Sequence, residues 1–361
     1  MGRQAALLVL LLGIGVAALP VRAQDSPAGQ IDVFLAQNPP MGAARVYFLD
    51  PLSGLSTVAN VESGQGFTLV GDYVLYEKAR TGAIMRANAD GTLEPHPFIR
   101  RAVDTQSLRW VVSPDGQAVA WVQVNQAGVS QAFVAWADGR DLRQLPISTP
   151  GAALELLPLA LTDGMGQFFY DAAHPIEPSH DVPYIRYEYV AWYSLLDETF
   201  YPLMLEPNCP CGAAATADGR IFARLEAERG DGPFAVHIWD LPTGADIRIP
   251  AADLPFRVAG DLILNQKGTF AAYSAAAGVG VEAGLLPEQY ALVLVDVVAG
   301  QQSLAVAPGL ARYRPLAFID GDSALLLAGV SEPGTFKLDL SGGDIRRVSN
   351  EIYLGSITTS R

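Results

Sequence analysis

Residues 107–146 read SLRWVVSPDGQAVAWVQVNQAGVSQAFVAWADGRDLRQLP. Short runs rich in Val, Ala, Phe and Trp are separated by polar turns that contain an Asp-Gly pair, which is typical of β-strands joined by tight turns. The stretch therefore predicts a strand, an inner turn, a second strand, a loop, a third strand, an outer turn and a fourth strand. Four strands in this order form one small antiparallel sheet.

The same order of strands and turns recurs along the chain. The outer turns are about 40 to 60 residues apart, which is the spacing of repeat architectures. Six inner turns occur, within the stretches 69–78, 111–122, 161–170, 215–225, 264–274 and 318–328. Seven outer turns occur, at 49–54, 88–91, 137–141, 195–198, 240–244, 296–300 and 339–343.

The unmatched outer turn, at Asp50, lies near the N-terminus. IDVFLAQ (31–37) supplies a further strand before it, and IYLGSI (352–357) at the C-terminus supplies the one that is missing. We therefore predict an all-β chain that forms a single β-propeller of seven four-stranded blades, in which the N- and C-terminal strands share the closing blade. Six or eight blades remain alternatives, because the fourth and sixth units carry irregular inserts.

The SPDG inner turn and the ADG outer hairpin of residues 107–146 resemble the repeats of TolB-type, WD-like β-propellers. Residues 215–249 and 318–348 match this pattern more loosely. The resemblance implies the propeller fold and an exported location, and it carries over no catalytic residue. The sequence departs from TolB in two ways: the other inner turns lack the proline, and no N-terminal α/β domain precedes the repeats.

The N-terminus has the pattern of a secretory signal peptide. A basic residue, Arg3, precedes an apolar run that ends at Val21, and small residues precede a cleavage site after Ala23. We expect residues 1–23 to be removed and residues 24–361 to form one domain with flexible ends at 24–30 and 358–361. The mature protein is then extracytoplasmic, periplasmic or secreted, with no transmembrane segment; an uncleaved anchor is the alternative.

The charge of the chain excludes one class of partner. The formal net charge is −14, and it becomes −16 after removal of Arg3 and Arg22, with 22 basic against 38 acidic residues. Affinity for phosphate backbones comes from Lys and Arg, so no nucleic-acid partner is expected. We expect a monomer that binds another extracytoplasmic protein or a surface ligand and that requires no cofactor.

A long polar insert in the fourth unit holds the candidate binding residues. His174, His180 and Asp181 lie in a proline-containing loop, and Tyr184 and Tyr187 follow it closely. Tyrosines suit an interface because they combine a large apolar area with a polar tip. The alternatives are a divalent metal held by the acidic and imidazole groups, an ordinary surface loop, and strand tyrosines that simply pack in the core. A second insert, 275–289, belongs to the sixth unit.

The other candidates for chemistry are few. Cys209 and Cys211 permit a local disulfide in an exported protein, although plain loop thiols, a bridge to another chain and redox or metal chemistry stay open. His96 and His237 are interpreted as structural. No nucleophile elbow or Ser, His and acidic set stands out, so no catalytic residue and no metal site are predicted.

The predicted function is accordingly an exported, non-enzymatic propeller that binds a protein or another ligand. The alternatives are a hydrolase or lyase that acts on glycans with carboxylates in the central funnel, or a scaffold component of the cell envelope.

Overall fold

The computed structural model of the protein describes residues 29–38, 43–147, 154–173, 184–185, 187, 189–203, 212–227, 232–252, 254, 256–277 and 289–358. Within them the backbone forms strands and one short 3-10 helix, Asp163–Met165. The prediction of an all-β chain is confirmed. His174, His180, Asp181, Cys209 and Cys211 lie outside the described residues, as does the predicted signal peptide.

The strands follow one another with short turns between them. In chain order they are β1 (Gln30–Asn38), β2 (Ala43–Leu49), β3 (Ser56–Val61), β4 (Gln65–Val70), β5 (Tyr73–Glu77), β6 (Ile84–Asn88), β7 (Leu93–Pro95), β8 (Thr105–Val112), β9 (Ala118–Asn125), β10 (Ser130–Trp136), β11 (Arg143–Gln144), β12 (Glu155–Leu161), β13 (Gln167–Ala173) and β14 (Val190–Ser194). They continue with β15 (Thr199–Pro202), β16 (Ala213–Ala215), β17 (Ile221–Ala227), β18 (Phe234–Asp240), β19 (Ala245–Ile249), β20 (Val258–Leu264), β21 (Phe270–Ala277), β22 (Gln289–Asp296), β23 (Gln301–Gly309), β24 (Tyr313–Ile319), β25 (Ala324–Gly329), β26 (Gly334–Asp339), β27 (Ile345–Ser349) and β28 (Ile352–Thr358).

These strands form seven four-stranded antiparallel sheets, which are the blades of a β-propeller. Blade 1 contains β28, β1, β2 and β3 in that spatial order, and blades 2 to 7 each contain four consecutive strands, from β4–β7 to β24–β27. Successive blades contact one another largely through their first strands, which surround the central tunnel. The predicted number of blades is confirmed.

Blade 1 joins the two ends of the chain. β1 pairs with β28 from Gln30 opposite Thr358 to Leu35 opposite Ile352. Val33 and Ile357, on these two strands, are buried in one apolar cluster with residues of β2, β3 and blade 2. The closing blade is therefore the one that the sequence predicted, and it leaves no terminal sheet with an exposed edge between blades 7 and 2.

The second strand of each blade explains why many runs are continuously apolar rather than alternating. β5 is buried at all five positions, and β9 is buried at six of eight. A second strand lies between its own sheet neighbours and has another blade on each side, so both of its faces enter the core. The fourth strands are the outermost, and β15 is exposed at all four positions.

The antiparallel order gives the propeller two different faces. The inner turns (first to second strand) and the outer turns (third to fourth strand) lie on one face, which we call the turn face. The remaining connections lie on the opposite face, which we call the loop face. The ends of β13 and β21 and the starts of β14 and β22, which flank the two inserts along the chain, lie at the loop face. The described part of the chain contains no helix with the length and apolar character that a membrane crossing requires.

Candidate functional site

A cleft of about 920 Å³ extends from the turn face into the central tunnel, and we call it the turn-face cleft. Its walls come from the first strands of blades 2, 3, 7 and 1, through Leu69, Val112, Leu316 and Ile357 respectively, and from turns of blades 2 and 3. Small-molecule sites commonly enclose about 300 to 1,000 Å³. The cleft is therefore large enough for such a ligand, and the ends of several blades position its side chains.

Hydrogen bonds between neighbouring blades fix the turns around this mouth. The Gly71 N–H donates to the Gly116 carbonyl at 2.6 Å, which joins blades 2 and 3. The Asp115 N–H donates to Asp163 Oδ1 at 2.8 Å, which joins blades 3 and 4. The Asp163 N–H in turn donates to the Ala217 carbonyl of blade 5 at 2.8 Å. The mouth is therefore a set of linked turns rather than independent loops.

The aspartates of two inner turns, in blades 3 and 5, bond to the turn itself. Asp115 Oδ1 accepts hydrogen bonds from the Ser113 hydroxyl at 2.5 Å and from the Gln117 N–H at 2.9 Å. Asp218 plays the same part in blade 5, where it accepts from the Thr216 hydroxyl at 2.6 Å. Such carboxylates shape the backbone by bonding to it two residues on.

Three arginines line the cleft, and two of them have carboxylate partners. Arg86 pairs with Glu94 at 2.8 Å, and Arg140 pairs with Asp138 at 2.6 Å. Arg314, on β24, is exposed to the cleft and makes no hydrogen bond or ion pair with the described part of the chain. Among the described lining residues, its guanidinium is the cationic group without a hydrogen-bond or ion-pair partner, and we call such a group uncommitted.

Of the three acidic residues of the lining, two also have hydrogen-bond partners. Asp138 is bonded to Arg140, and Asp115 is bonded within its turn. Asp72, in the inner turn of blade 2, is exposed and makes no hydrogen bond or ion pair with the described residues. The cleft thus presents one uncommitted cation from blade 7 and one uncommitted anion from blade 2.

A buried chain of hydrogen bonds supports the wall between blades 2 and 3. His96 is 1% exposed, and its Nδ1 accepts from the Ile99 N–H at 2.9 Å, so its proton lies on Nε2. Nε2 then donates to the Tyr73 hydroxyl at 2.9 Å, and that hydroxyl donates to the Ala137 carbonyl at 3.2 Å. Burial, together with the charges of Arg86 and Arg100, lowers the pKa of His96 to about 4. The imidazole is therefore neutral at pH 7 and holds Tyr73 in the cleft wall.

A second contact network, which we call the clasp, consists of Tyr184, Gly260, Asp261 and Arg312. The ring of Tyr184 packs on Gly260, where an added Cβ would lie 2.4 Å from the Tyr184 Cβ. The Arg312 guanidinium lies 4.8 Å from the centroid of that ring and pairs with Asp261 at 3.3 Å. Tyr184 follows β13 of blade 4, so the clasp connects that blade to blades 6 and 7.

The clasp interacts electrostatically with one residue of the cleft lining, Arg314. Burial raises the pKa of Asp261, while the charges of Arg312 and Arg314 oppose that rise. Arg314, which lines the cleft, is thus within electrostatic range of the carboxylate that the clasp contains.

The structure places the two described members of the predicted site inside the molecule. Tyr184 is 1% exposed, and Tyr187 is half-buried against apolar residues of blades 4 and 5. Burial raises the pKa of Tyr187, and the charges of Asp171 and Asp261 add to this effect. Neither tyrosine is brought together with His174, His180 and Asp181 by any described contact, so binding by this set stays a prediction.

Sequence reasoning missed the lining residues of the cleft. Asp72 looks like any other turn aspartate, and nothing local distinguishes its free carboxylate from the bonded one of Asp115. Arg312 and Arg314 did offer a signal: they are two of only 24 basic residues, and they alternate across a strand start. Side chains two positions apart project to the same side of a strand, and the charges of both arginines act on Asp261.

A smaller cleft of about 600 Å³ lies between the inner turns of blades 4, 5 and 6 and is lined by Asp163 and Asp218. Partial burial and the charges of Asp115 and Asp218 raise the pKa of Asp163, although its hydrogen bond from the Asp115 N–H opposes the rise. Among the residues that the structure describes, no three His, Cys, Asp or Glu side chains are arranged to hold a metal ion.

Comparison with known proteins supports the fold alone. No protein-family model matches the chain, and no curated protein matches it in sequence. A solved prolyl endopeptidase is similar over 91% of this chain with a TM-score of 0.61 and 12% identity, and this chain spans about half (51%) of its length. An oligogalacturonate lyase in complex with manganese is similar over 85% of this chain and 96% of its own, with a TM-score of 0.54 and 10% identity.

TolB from Acinetobacter baumannii is also among the similar structures, at a TM-score of 0.43 and 15% identity over 76% of this chain and 62% of TolB. That likeness is too low to carry an argument. The TolB-type resemblance therefore rests on the pattern of strands and turns in residues 107–146. The propeller fold rests on the seven blades themselves.

Proposed function

We propose that the protein is an exported, non-enzymatic propeller that binds its ligand in the turn-face cleft. The observation that carries this proposal is a cleft of about 920 Å³ whose wall is fixed by inter-blade hydrogen bonds and whose lining includes uncommitted charges of both signs. Arg314 and Asp72 are exposed to the cleft, so a ligand can pair with them without displacing a protein partner. A preformed polar recess of this kind suits ligand binding.

The test uses the chain from Gln24 to Arg361, equilibrated with an extract of the source organism, and identifies retained molecules by mass spectrometry. Leu316→Trp places a bulky side chain in the cleft wall. Leu310→Trp is the matched control, because Leu310 is 82% exposed in the connection between β23 and β24 on the loop face. We expect one ligand that the native protein and Leu310→Trp retain and that Leu316→Trp loses.

Two results contradict this proposal. A partner that all three proteins retain equally places binding outside the cleft and favours the residues that the sequence predicted, His174, His180, Asp181, Tyr184 and Tyr187. Retention of envelope proteins without any small ligand favours a scaffold role.

A second candidate function is cleavage of glycans. It is favoured by the smaller cleft, which is lined by Asp163 and Asp218, because glycosidic cleavage uses a pair of carboxyl groups and its general acid has a raised pKa, as Asp163 does. The expected result for this candidate is release of reducing ends from envelope glycans by the native protein and at least about a hundredfold less by Asp163→Asn. Equal, background-level release by both proteins excludes it.

A further inference from the structure

The turn-face cleft contains two charges that the described protein leaves without a partner, and this decides what class of ligand fits it. Arg314 presents a guanidinium, which matches a carboxylate through two parallel hydrogen bonds. Asp261, whose charge acts on Arg314, is already paired with Arg312, and both of those side chains are largely buried. A ligand carboxylate therefore has a defined position in the cleft.

Asp72 offers the complementary position. Its carboxylate lies in the lining, beside the fixed Tyr73, and accepts no hydrogen bond from the described residues. An ammonium group of a ligand would donate to it in a charge-assisted bond. The two charges stand on blades 7 and 2, and the residues between Leu354 and Thr358 of β28 line the cleft between them.

The net charge of the whole chain further limits the class of ligand that the cleft can bind. With a net charge of −14, the protein repels ligands that are only anionic. A ligand that is only cationic would face Arg314 with no group to pair it. A ligand that carries both charges satisfies both positions and is not repelled as a whole.

The separation of Asp72 and Arg314 limits which zwitterionic ligands can pair with both of them. Because a strand of blade 1 lies between Asp72 and Arg314, the ammonium and the carboxylate of the ligand must be farther apart than in a free α-amino acid. The cleft lining also contains Trp136 of blade 3 and Tyr353 of blade 1, which supply flat apolar area beside polar tips. An extended short peptide with free termini combines both features.

We propose that the cleft binds short peptides with free termini, with the C-terminal carboxylate on Arg314 and the N-terminal ammonium on Asp72. This inference rests on the proposed function, since it assigns a ligand class to the same cleft. It gives a role to Asp72 and Arg314, which make no hydrogen bond or ion pair within the described protein.

The test is affinity selection with mass spectrometry on a mixed pool of tripeptides and tetrapeptides. Four forms of the pool are compared: free, N-acetylated, C-amidated and capped at both ends. We expect the native protein to retain the free pool about tenfold more than either singly capped pool, the effect of removing one charge pair. Arg314→Gln should retain free and C-amidated peptides equally, and Asp72→Asn should retain free and N-acetylated peptides equally.

The control variants remove the same charges elsewhere. Arg346→Gln, on the exposed β27, and Asp104→Asn, before β8, should leave every preference unchanged. Retention that ignores capping, or that neither cleft variant alters, overturns the peptide assignment. Absence of peptide retention also overturns it. If the extract experiment still yields a ligand that Leu316→Trp loses, the cleft remains a binding site for another class of ligand; if it yields none, the proposed function fails as well.

Discussion

The turn face and the loop face are connected by the same strands, but they are held in different ways. On the turn face, short Asp-Gly turns bond to themselves and to the next blade, as between Asp115 and Asp163. On the loop face, the clasp joins blade 4 to blades 6 and 7 through a single buried ring, Tyr184. The first arrangement distributes stability over many small local bonds, and the second concentrates it in one remote contact.

This difference predicts that Tyr184→Ala is the most damaging of the changes considered. Tyr184 is 1% exposed, and its removal leaves a cavity between Gly260 and Arg312. Replacing a buried aromatic residue by alanine costs about 3 to 5 kcal/mol, so we expect a loss of about 4 kcal/mol in the free energy of unfolding measured in urea.

Tyr189→Ala is the matched control, because Tyr189 belongs to the same connection and is 47% exposed. Its backbone N–H, which donates to Asp171, is retained in the variant. We expect a change within about 0.5 kcal/mol. Equal losses in the two variants would show that the clasp contributes nothing beyond an ordinary surface contact.

The same contrast explains what the sequence could predict. The turn face follows from local rules: an Asp-Gly pair between two apolar runs predicts a hairpin wherever it occurs, and six inner turns and seven outer turns were enough to give seven blades and the closing strand. The strand IYLGSI was assigned to blade 1 only because the count of turns required it, and its pairing with β1 confirms that count.

The candidate site could not be predicted in this way. Whether Arg314 or Asp72 has a partner depends on which blades meet across the tunnel, and residues on separate blades are distant in sequence. The tyrosines after the blade 4 insert were chosen for their chemistry, and the structure places Tyr184 against Gly260, 76 positions away. A pattern of residue types states what a side chain is able to contact, and the fold decides what it does contact.

His96 links the two faces, and its buried imidazole predicts a dependence on pH. It follows β7 on the loop side, and its partner Tyr73 opens β5 next to an inner turn. Its folded pKa is about 4, below the usual 6.5, so between these values the unfolded chain binds a proton that the folded chain does not. Stability is therefore complete above pH 6.5 and falls as the pH decreases toward 4, by about 3 kcal/mol at 1.36 kcal/mol for each pKa unit.

Carboxylates also titrate in this range, so the measurement needs a variant that lacks only the imidazole. His96→Asn keeps a carbonyl that can accept from the Ile99 N–H and does not titrate. Urea unfolding of both proteins from pH 7.5 to 4 should show the native protein losing about 3 kcal/mol more than the variant. Parallel curves would mean that His96 is protonated in the folded state without cost.

The smallest expected effect lies at Asp163, where two variants separate its two roles on the turn face. Its carboxylate accepts the Asp115 N–H at 2.8 Å, but burial and neighbouring aspartates raise its pKa, so its charge is unfavourable in the folded state. Asp163→Asn keeps an acceptor oxygen and removes the charge, whereas Asp163→Ala removes both. Because Asp163 is exposed and solvent screens its charge, we expect Asp163→Asn to be neutral or slightly stabilising at pH 7 and Asp163→Ala to lose about 0.5 to 1 kcal/mol. Thermal unfolding at pH 7 measures both, and a loss for Asp163→Asn as large as that for Asp163→Ala would show that the ionised carboxylate itself stabilises the linked turns.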